Sequence, residues 1–199
     1  MKKLSLFTLF FLFSLQFFSC NCNNLESEEY IGYSNYKLVT HNNESVNFPA
    51  DYSGKLLFLS FIFTNCPDIC PLTTHNIFLI QQRIKEENIP DVHFLVISFD
   101  PDRDKPEILK KYSEVRGYNL QNWDFLTGEK KTIDSIMKDF NVVAISGDTS
   151  FTPSGLPVYF FTHTDRISLI DKKLNLRKNY KGSEIDIEEI ISDLKNIGD

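Results

Sequence analysis

The residues best suited to chemistry are two cysteines separated by three residues, Cys66 and Cys70, in the segment TNCPDICP at 64–71. If this segment enters a helix near Pro67 or Pro71, the two side chains share one face, with Cβ atoms about 5–6 Å apart. Both sulfurs can then reach one ion or each other. The start of a helix also favours thiolate over thiol, because its N–H groups are unpaired. The pair therefore indicates metal binding or disulfide exchange.

A structural disulfide between the same two cysteines is the alternative interpretation. A bridge across so short a loop would restrict the unfolded chain only a little. The pair also follows LLFLSFIF at 56–63, an apolar run typical of a strand buried on both faces. The carboxyl ends of such strands are where α/β folds place their sites, so we favour a functional pair.

The segments around this run define the fold that must position the cysteines. Two short alternating segments flank HNNE, which predicts a β-hairpin at 36–48. Strands and amphipathic helices then alternate as β-α-β-α-β-α, followed by β-β-α. The predicted class is α/β, a thioredoxin-like sandwich with a central, mostly parallel sheet flanked by helices and an added N-terminal hairpin. The individual predictions are helices at 72–87, from 105 (with Asp104 as N-cap and Gly117 as terminator), at 133–140 and at 187–194, strands at 92–99 and 123–126, a β pair formed by 158–162 and 166–171, and a last strand at 176–180.

The N-terminus has the pattern of an export signal. Lys2 and Lys3 precede an uncharged, Leu- and Phe-rich run at 4–18. This run is shorter than the about 17–25 apolar residues of a membrane-spanning helix. The pair Ser19-Cys20 resembles a bacterial lipoprotein cleavage site, which predicts lipidation of Cys20. Ordinary cleavage nearby and an uncleaved single anchor are the alternatives.

These features divide the chain into a signal peptide at 1–19, a flexible tether at 20–34 and one domain at 35–199. The mature protein is expected in the cell envelope, exported and anchored to the membrane by a lipid, facing the periplasm or the outer side of the cytoplasmic membrane. With 42% hydrophobic and 24% charged residues among 199, the composition excludes wholesale disorder and a polytopic membrane protein. A net charge of −6 disfavours nucleic acid as a partner.

Three segments together resemble the SCO1/SenC family of copper-binding cytochrome c oxidase assembly proteins. They are FTNCPDICP at 63–71, FDPDRDKPEILKKY at 99–112 and HTDRISLID at 163–171. Their order and spacing fit the family over about 36–197. The resemblance independently implies a thioredoxin-like fold with an added hairpin.

The resemblance also implies a site and a function. Copper would be bound by Cys66, Cys70 and His163, one ion per chain, with Asp100 and Asp104 near the site but not ligands. Thiolates suit Cu(I) and an imidazole can also hold Cu(II), although zinc would accept the same set. The implied function is a metallochaperone for the binuclear copper centre of cytochrome c oxidase. Its partners would be the copper-centre subunit, other copper carriers or a thioredoxin-like reductant.

Two enzymatic functions compete with the chaperone. A thiol-disulfide oxidoreductase would use Cys66 and Cys70 as a redox pair, yet thioredoxin-type enzymes have two residues between their cysteines. They also resemble one another in a proline facing the dithiol, where this chain has His163. A peroxiredoxin-type peroxidase would have Thr and Pro where this chain has Phe63 and Leu59, so a peroxidase is disfavoured.

Other candidate ligands have structural explanations. The alternating acids at 100, 102 and 104 suggest a calcium loop, but its sixth position is Lys105 and its twelfth is Lys111, so an EF-hand is rejected. Turn formation and helix capping explain these acids better. We expect His41, His75 and His93 to be ordinary structural residues.

Overall fold

The computed structural model describes residue 25 and residues 29–147, 149–151 and 157–197. The predicted signal peptide at 1–19 and the predicted lipidation site Cys20 lie outside these ranges. Within the described ranges, no helix is both long and apolar enough to cross a membrane. The described chain forms one eight-stranded sheet, two small two-stranded sheets and four α-helices.

The elements follow the chain in this order. The strands are β1 (Glu29–Tyr30), β2 (Tyr36–Thr40), β3 (Ser45–Phe48), β4 (Leu56–Ile62), β5 (Val92–Ser98), β6 (Trp123–Thr127), β7 (Ala144–Ser146), β8 (Ser150–Phe151), β9 (Pro157–Val158), β10 (Phe161–His163), β11 (Ile167–Ile170) and β12 (Asn175–Tyr180), and the helices are α1 (Ile69–Glu86), α2 (Pro106–Val115), α3 (Lys130–Asp139) and α4 (Ile187–Asn196).

The large sheet has the order β1-β12-β11-β4-β5-β6-β2-β3. Its three central strands, β4, β5 and β6, are parallel. The strands outside them pair antiparallel, including the predicted hairpin of β2 and β3, which extends the sheet beyond β6. The α/β class is therefore confirmed, but the sheet is mixed rather than mostly parallel as predicted: β4–β5 and β5–β6 are its parallel pairs, and the other five pairs are antiparallel. The parallel arrangement is confined to the centre, where α1 and α2 connect successive strands.

Strand β4 is the centre of the core, and all seven of its residues are buried. On one face, Phe58 stacks on Phe94 with ring centroids 5.5 Å apart, and Phe94 contacts Trp123 at 5.7 Å. Successive strand residues point to opposite faces, so Phe61 faces the other side, where it contacts Phe140 at 6.0 Å. Burying each such side chain stabilises the fold by about 1.5–3 kcal/mol. This packing holds β4 in place, including its carboxyl end, where the cysteine segment begins.

Three predictions about individual helices and strands need correction. Helix α1 begins at Ile69, three residues before the predicted start, so Cys70 lies inside its first turn. The segments 158–162 and 166–171 do not pair with each other: β10 pairs with β7, while β11 pairs with β4 and β12. The helix α2 is capped by Lys105 without a side-chain hydrogen bond, so the prediction that Asp104 is the N-cap is wrong. The Asp104 carboxylate instead accepts hydrogen bonds from groups near the ends of β4 and β5.

Part of the segment predicted as a tether is included in the sheet. Strand β1 lies within 20–34 and pairs antiparallel with β12. The backbone N–H of Ile31 also donates to the carbonyl of Leu174 at 2.9 Å. The chain therefore joins the sheet before residue 35.

Candidate metal centre

The two cysteines lie where β4 passes into α1. The backbone N–H of Cys66 donates to the carbonyl of Phe63 at 3.3 Å, which turns the chain after the strand. Asp68 then occupies the N-cap of α1, and Cys70 is the second helical residue. A buried strand leading directly into a helix thus holds both sulfurs at the carboxyl edge of the sheet.

His163 reaches the same place from a different part of the chain. It is the last residue of β10, which pairs with β7 in a two-stranded ribbon separate from the large sheet. Its Nε2 lies 3.3 Å from the Sγ of Cys70, although 93 positions separate the two residues. The fold therefore joins the third predicted donor to the cysteine pair.

The three donor atoms are close enough for one metal ion. The sulfurs of Cys66 and Cys70 and a ring nitrogen of His163 all lie within 4.8 Å of one another. Metal–sulfur bonds of about 2.3 Å and metal–nitrogen bonds of about 2.0 Å allow donors on opposite sides of an ion to be about 4.3–4.6 Å apart. The observed limit of 4.8 Å is only slightly larger, so small side-chain rotations would bring all three donors onto one ion. In the part of the chain that the structure describes, no other cluster of Cys, His, Asp and Glu side chains meets this condition.

A backbone hydrogen bond fixes the orientation of the His163 ring. Its Nδ1 lies 3.0 Å from the carbonyl oxygen of Thr164. Because a carbonyl only accepts, Nδ1 must carry a proton, which leaves Nε2 directed at the cysteines. Burial acts to lower the pKa of His163, but hydrogen bonding to the Cys66 thiolate and to Thr164 outweighs it and raises the pKa.

The two cysteines differ in their environments. A hydrogen bond from Cys70 lowers the pKa of Cys66 to about 4, with further help from His163 and backbone N–H groups. Cys66 is half-buried, and the N–H of Cys70 donates to its sulfur at 3.4 Å. Cys70 is fully buried, and its pKa is raised because its thiol donates to Cys66 and because burial disfavours a second negative charge. Without metal, the pair is thus one thiolate and one thiol.

Asp104 holds the loop that carries Cys66. One carboxylate oxygen accepts from the backbone N–H of Thr64 at 2.9 Å and from the Ser98 hydroxyl at 2.5 Å, and the other accepts from the Thr64 hydroxyl at 2.5 Å. Thr64 is two residues before Cys66. Only 1% of Asp104 is exposed, and this burial raises the pKa of its carboxyl despite the three donors.

Asp100 holds the segment that leads to His163. Its carboxylate accepts from the Tyr159 hydroxyl at 2.9 Å and from the guanidinium of Arg103 at 3.2 Å. The same guanidinium lies 3.8 Å from the centroid of the Tyr159 ring. Neither Asp100 nor Asp104 belongs to the three-donor cluster. Both carboxylates instead hold the segments that carry the donors in place through hydrogen bonds.

Aromatic side chains that we did not predict as site residues surround the imidazole. The centroid of the His163 ring lies 5.1 Å from that of Phe99 and 6.5 Å from that of Phe63. Phe161 contacts both phenylalanines, at 5.3 and 5.0 Å. Phe63 and Phe99 directly follow β4 and β5, a position at the sheet edge that could have indicated them. They limit the access of water to the inner side of the site.

The remaining histidines lie elsewhere, as expected. The buried His41 accepts the backbone N–H of Phe125 at 3.3 Å. His93 lies 2.8 Å from a carboxylate oxygen of Asp124, at the start of the strands rather than at their carboxyl ends. His75 stacks on Phe78 along α1 at 6.1 Å.

Comparison with known proteins identifies the family. The family model described as SCO1/SenC matches residues 25–199. The chain belongs to the SCO1/SenC family. The motifs containing Cys66, Cys70 and His163 all fall within the matched residues.

Solved structures of SCO1/SenC proteins share the fold. A SCO1/SenC family lipoprotein from Bacillus anthracis is 31% identical, with a TM-score of 0.69 over 82% of this chain and 93% of that one. Copper-bound ScoI from Arabidopsis thaliana is 26% identical, with a TM-score of 0.68 over 82% and 96% of the two chains. BsSco, a member of the Sco family of cytochrome c oxidase assembly proteins in which a disulfide switch was identified, is 30% identical, with a TM-score of 0.66 over 82% and 91%. The thioredoxin-like prediction is therefore confirmed.

Proposed function

We propose that this SCO1/SenC protein is a copper metallochaperone that carries one copper ion per chain and delivers it to the binuclear copper centre of cytochrome c oxidase. The observation that carries the proposal is the cluster of Cys66, Cys70 and His163, whose donor atoms lie within 4.8 Å of one another. The copper-bound ScoI of Arabidopsis and the oxidase-assembly family of BsSco support the same cargo and destination. Carrying an ion makes and breaks no bond in a substrate, so this function is not enzymatic.

The chemistry of the donors explains how copper could be both held and released. Two thiolates satisfy Cu(I), and the imidazole of His163 adds a donor that also holds Cu(II). A bound cation offsets the negative charge that otherwise keeps the buried Cys70 protonated. Cys66 is the more exposed of the two cysteines, so a ligand from the recipient protein can approach the ion on that side. Copper would then pass by exchange of one ligand at a time.

The same proposal places the protein in the cell envelope. Export would remove 1–19, Cys20 would carry the lipid, and the residues between Cys20 and β1 would connect the lipid to the domain, which begins at β1 rather than at residue 35. The homologous lipoprotein of Bacillus anthracis supports anchoring of this kind. The partners we propose are the copper-centre subunit of the oxidase, other copper carriers and a thioredoxin-like reductant that keeps the cysteines reduced.

One observation favours a second candidate function, thiol-disulfide exchange. The Cys66 thiolate could attack a partner disulfide and release one partner thiolate, forming a mixed disulfide. Cys70 would lose its proton and attack the Cys66 sulfur, releasing the second partner thiolate and leaving a Cys66–Cys70 disulfide. A thioredoxin-like reductant would then restore the pair. The unequal pKa values of the two cysteines suit these roles.

Metal binding by the reduced protein tests the first proposal. Competition titration under anaerobic conditions should give one copper per chain, with zinc bound more weakly because thiolates favour copper in the usual order of stability. Cys66→Ser and Cys70→Ser should abolish tight binding. His163→Ala should weaken Cu(II) far more than Cu(I), whereas His75→Ala, on the same helix as Cys70, should change neither. Equal loss of both oxidation states in the His163 variant would contradict its assigned role.

Complementation of cells that lack the protein separates the two functions. A reductase needs the dithiol but not the imidazole, so His163→Ala would leave much of its activity. A chaperone needs all three donors. Neither His163→Ala nor Cys66→Ser should therefore restore oxidase activity, and the two failures should be equally complete. Full restoration by the histidine variant at low copper, with failure of the cysteine variant, would favour thiol exchange.

A further inference from the structure

The turn that follows His163 is tied to the rest of the molecule at each of its next three residues. Thr164 bonds to Val143, which keeps the turn with the β7–β10 ribbon. The carbonyl of Arg166 accepts from the Ser60 hydroxyl of β4 at 2.8 Å, and its guanidinium donates to the carbonyl of Phe140 at 2.8 Å. Between them, Asp165 is the residue that connects the turn to α1, the helix that carries Cys70.

The carboxylate of Asp165 joins three segments. One oxygen accepts from the hydroxyl of Thr73 at 3.1 Å, and Thr73 lies one turn after Cys70 in α1. The other oxygen accepts from both the backbone N–H of Ser183, at 3.0 Å, and the Ser183 hydroxyl. Ser183 belongs to the connection between β12 and α4. Thr73 is 98% buried, so its hydroxyl has little access to water as an alternative partner.

The chain packs closely against this carboxylate at Gly182. A Cβ atom added to Gly182 would lie 2.5 Å from the Asp165 carboxylate and 2.9 Å from the Thr73 methyl group. The carbonyl of Gly182 accepts from the buried amide of Asn76 at 2.8 Å, which ties the same connection to α1 a second time. Gly182 therefore lets the chain approach closely enough to hold Asp165 against Thr73.

We propose that Asp165 is a positioning residue for copper, because its hydrogen bond to Thr73 fixes the His163 turn to the Cys70 helix. This inference rests on the copper function proposed above. The imidazole lies at the end of a ribbon outside the large sheet, whereas the sulfurs lie on the loop after β4 and on α1. A direct connection between the turn and α1 sets the separation of the nitrogen from the sulfurs. Loss of such supporting contacts typically lowers metal affinity by about 10–100-fold.

Four variants of the full-length protein test the inference by Cu(II) competition titration. Asp165→Ala removes the connection and should lower affinity for Cu(II) by about 10–100-fold, with Cu(I) changed by less than about threefold because the thiolates remain. Asp165→Asn can keep its oxygen on Ser183 and donate to the Thr73 hydroxyl, so it should restore most of the affinity. Thr73→Val should weaken Cu(II) binding. Ser183→Ala leaves the bond to α1 and should stay near wild type.

A measurement on the copper-free protein accompanies the titration. Hydrogen–deuterium exchange of the amides at 163–166 should accelerate in Asp165→Ala and Thr73→Val but stay near wild type in Asp165→Asn and Ser183→Ala. The Cu(II) spectrum should shift in the same two variants that lose affinity.

Four results would overturn the inference. Equal loss in Asp165→Asn and Asp165→Ala would mean that the charge, rather than the position, matters. Equal effects of Thr73→Val and Ser183→Ala would mean that the carboxylate only stabilises the fold. If the wild type binds copper and Asp165→Ala binds it with the same affinity, the positioning role is refuted and the copper function stands. If the wild type binds no copper, both are refuted.

Discussion

The buried carboxylate of Asp104 holds the Cys66 loop and contributes both hydrogen bonds and a charge. Replacing Asp104 by Asn or by Ala separates these two contributions. In Asp104→Asn, the amide oxygen can still accept from the Thr64 N–H and the Ser98 hydroxyl, while its NH₂ group donates to a rotated Thr64 hydroxyl. All three contacts are then kept without the charge. In Asp104→Ala, all three are lost.

The structure sets the size and sign of each effect. Burial raises the pKa of Asp104, so the folded protein binds this proton more tightly than the unfolded chain does. The stability of the wild type must therefore fall as pH rises from the ordinary pKa of an aspartate through the raised one. The Asn variant lacks this dependence and should match or exceed the wild type at pH 7. The Ala variant strands the Thr64 N–H and should lose about 2–4 kcal/mol.

Urea unfolding of the chain from residue 25, followed by tryptophan fluorescence, measures these differences. With a slope of about 2 kcal/mol per molar urea, the Ala variant should unfold at about 1–2 M less urea than the wild type. The advantage of the Asn variant should shrink between pH 7 and pH 4, as the wild-type carboxyl takes up its proton. An Asn variant as unstable as the Ala variant, or an advantage that does not change with pH, would refute the reasoning.

Three further predictions follow from the same structure. Iodoacetamide should alkylate Cys66 at a rate that is nearly constant from about pH 6 to 9, because its lowered pKa keeps it a thiolate, while the buried Cys70 stays unmodified; a tenfold rise per pH unit would contradict the thiolate. Asp171→Ala should lower the free energy of unfolding by about 3–5 kcal/mol, because the guanidinium of Arg177, which lies 3.0 Å from the carboxylate and is only 12% exposed, loses its charged partner; Asp171→Ala with Arg177→Met should regain part of that loss in urea unfolding. Phe63→Ala should cost about 3–5 kcal/mol and weaken Cu(II) binding, since its ring packs both the core and the imidazole; unchanged unfolding would show that the ring is not needed.

The parts of the fold that depend on local sequence could be predicted well. The hairpin of β2 and β3, the strands β4 and β5 and the helix end at Gly117 follow from patterns within about ten residues of each other. Gly117 indeed has a positive φ of 67°. The pairing of β11 with β4 could not be found in this way, because it joins residues more than a hundred positions apart. Sequence proximity instead favours the preceding segment, 158–162, as its partner.

The site shows the same limit. Cys66 and Cys70 could be identified from their spacing and from the strand before them, whereas His163 was found only through the resemblance to a family. Asp104 precedes a helix, which predicts an N-cap. An aspartate at this position can equally accept from donors far away in the chain, and the sequence does not distinguish the two roles. Asp165 looks like an ordinary turn residue, because nothing near it in the chain indicates that Thr73 lies opposite.

The separation of His163 from the cysteines along the chain has a consequence for biogenesis. Cys66 and Cys70 lie in a strand–helix unit that can form from neighbouring residues, while the histidine is synthesised 93 residues after Cys70. Contacts of such long range form slowly in folding, and the N-terminal part of a chain is synthesised first. If the protein is exported as proposed above, its two thiols would therefore be accessible in an oxidising compartment before the imidazole is in place. The nascent protein, and not only the finished one, would then depend on a reducing partner.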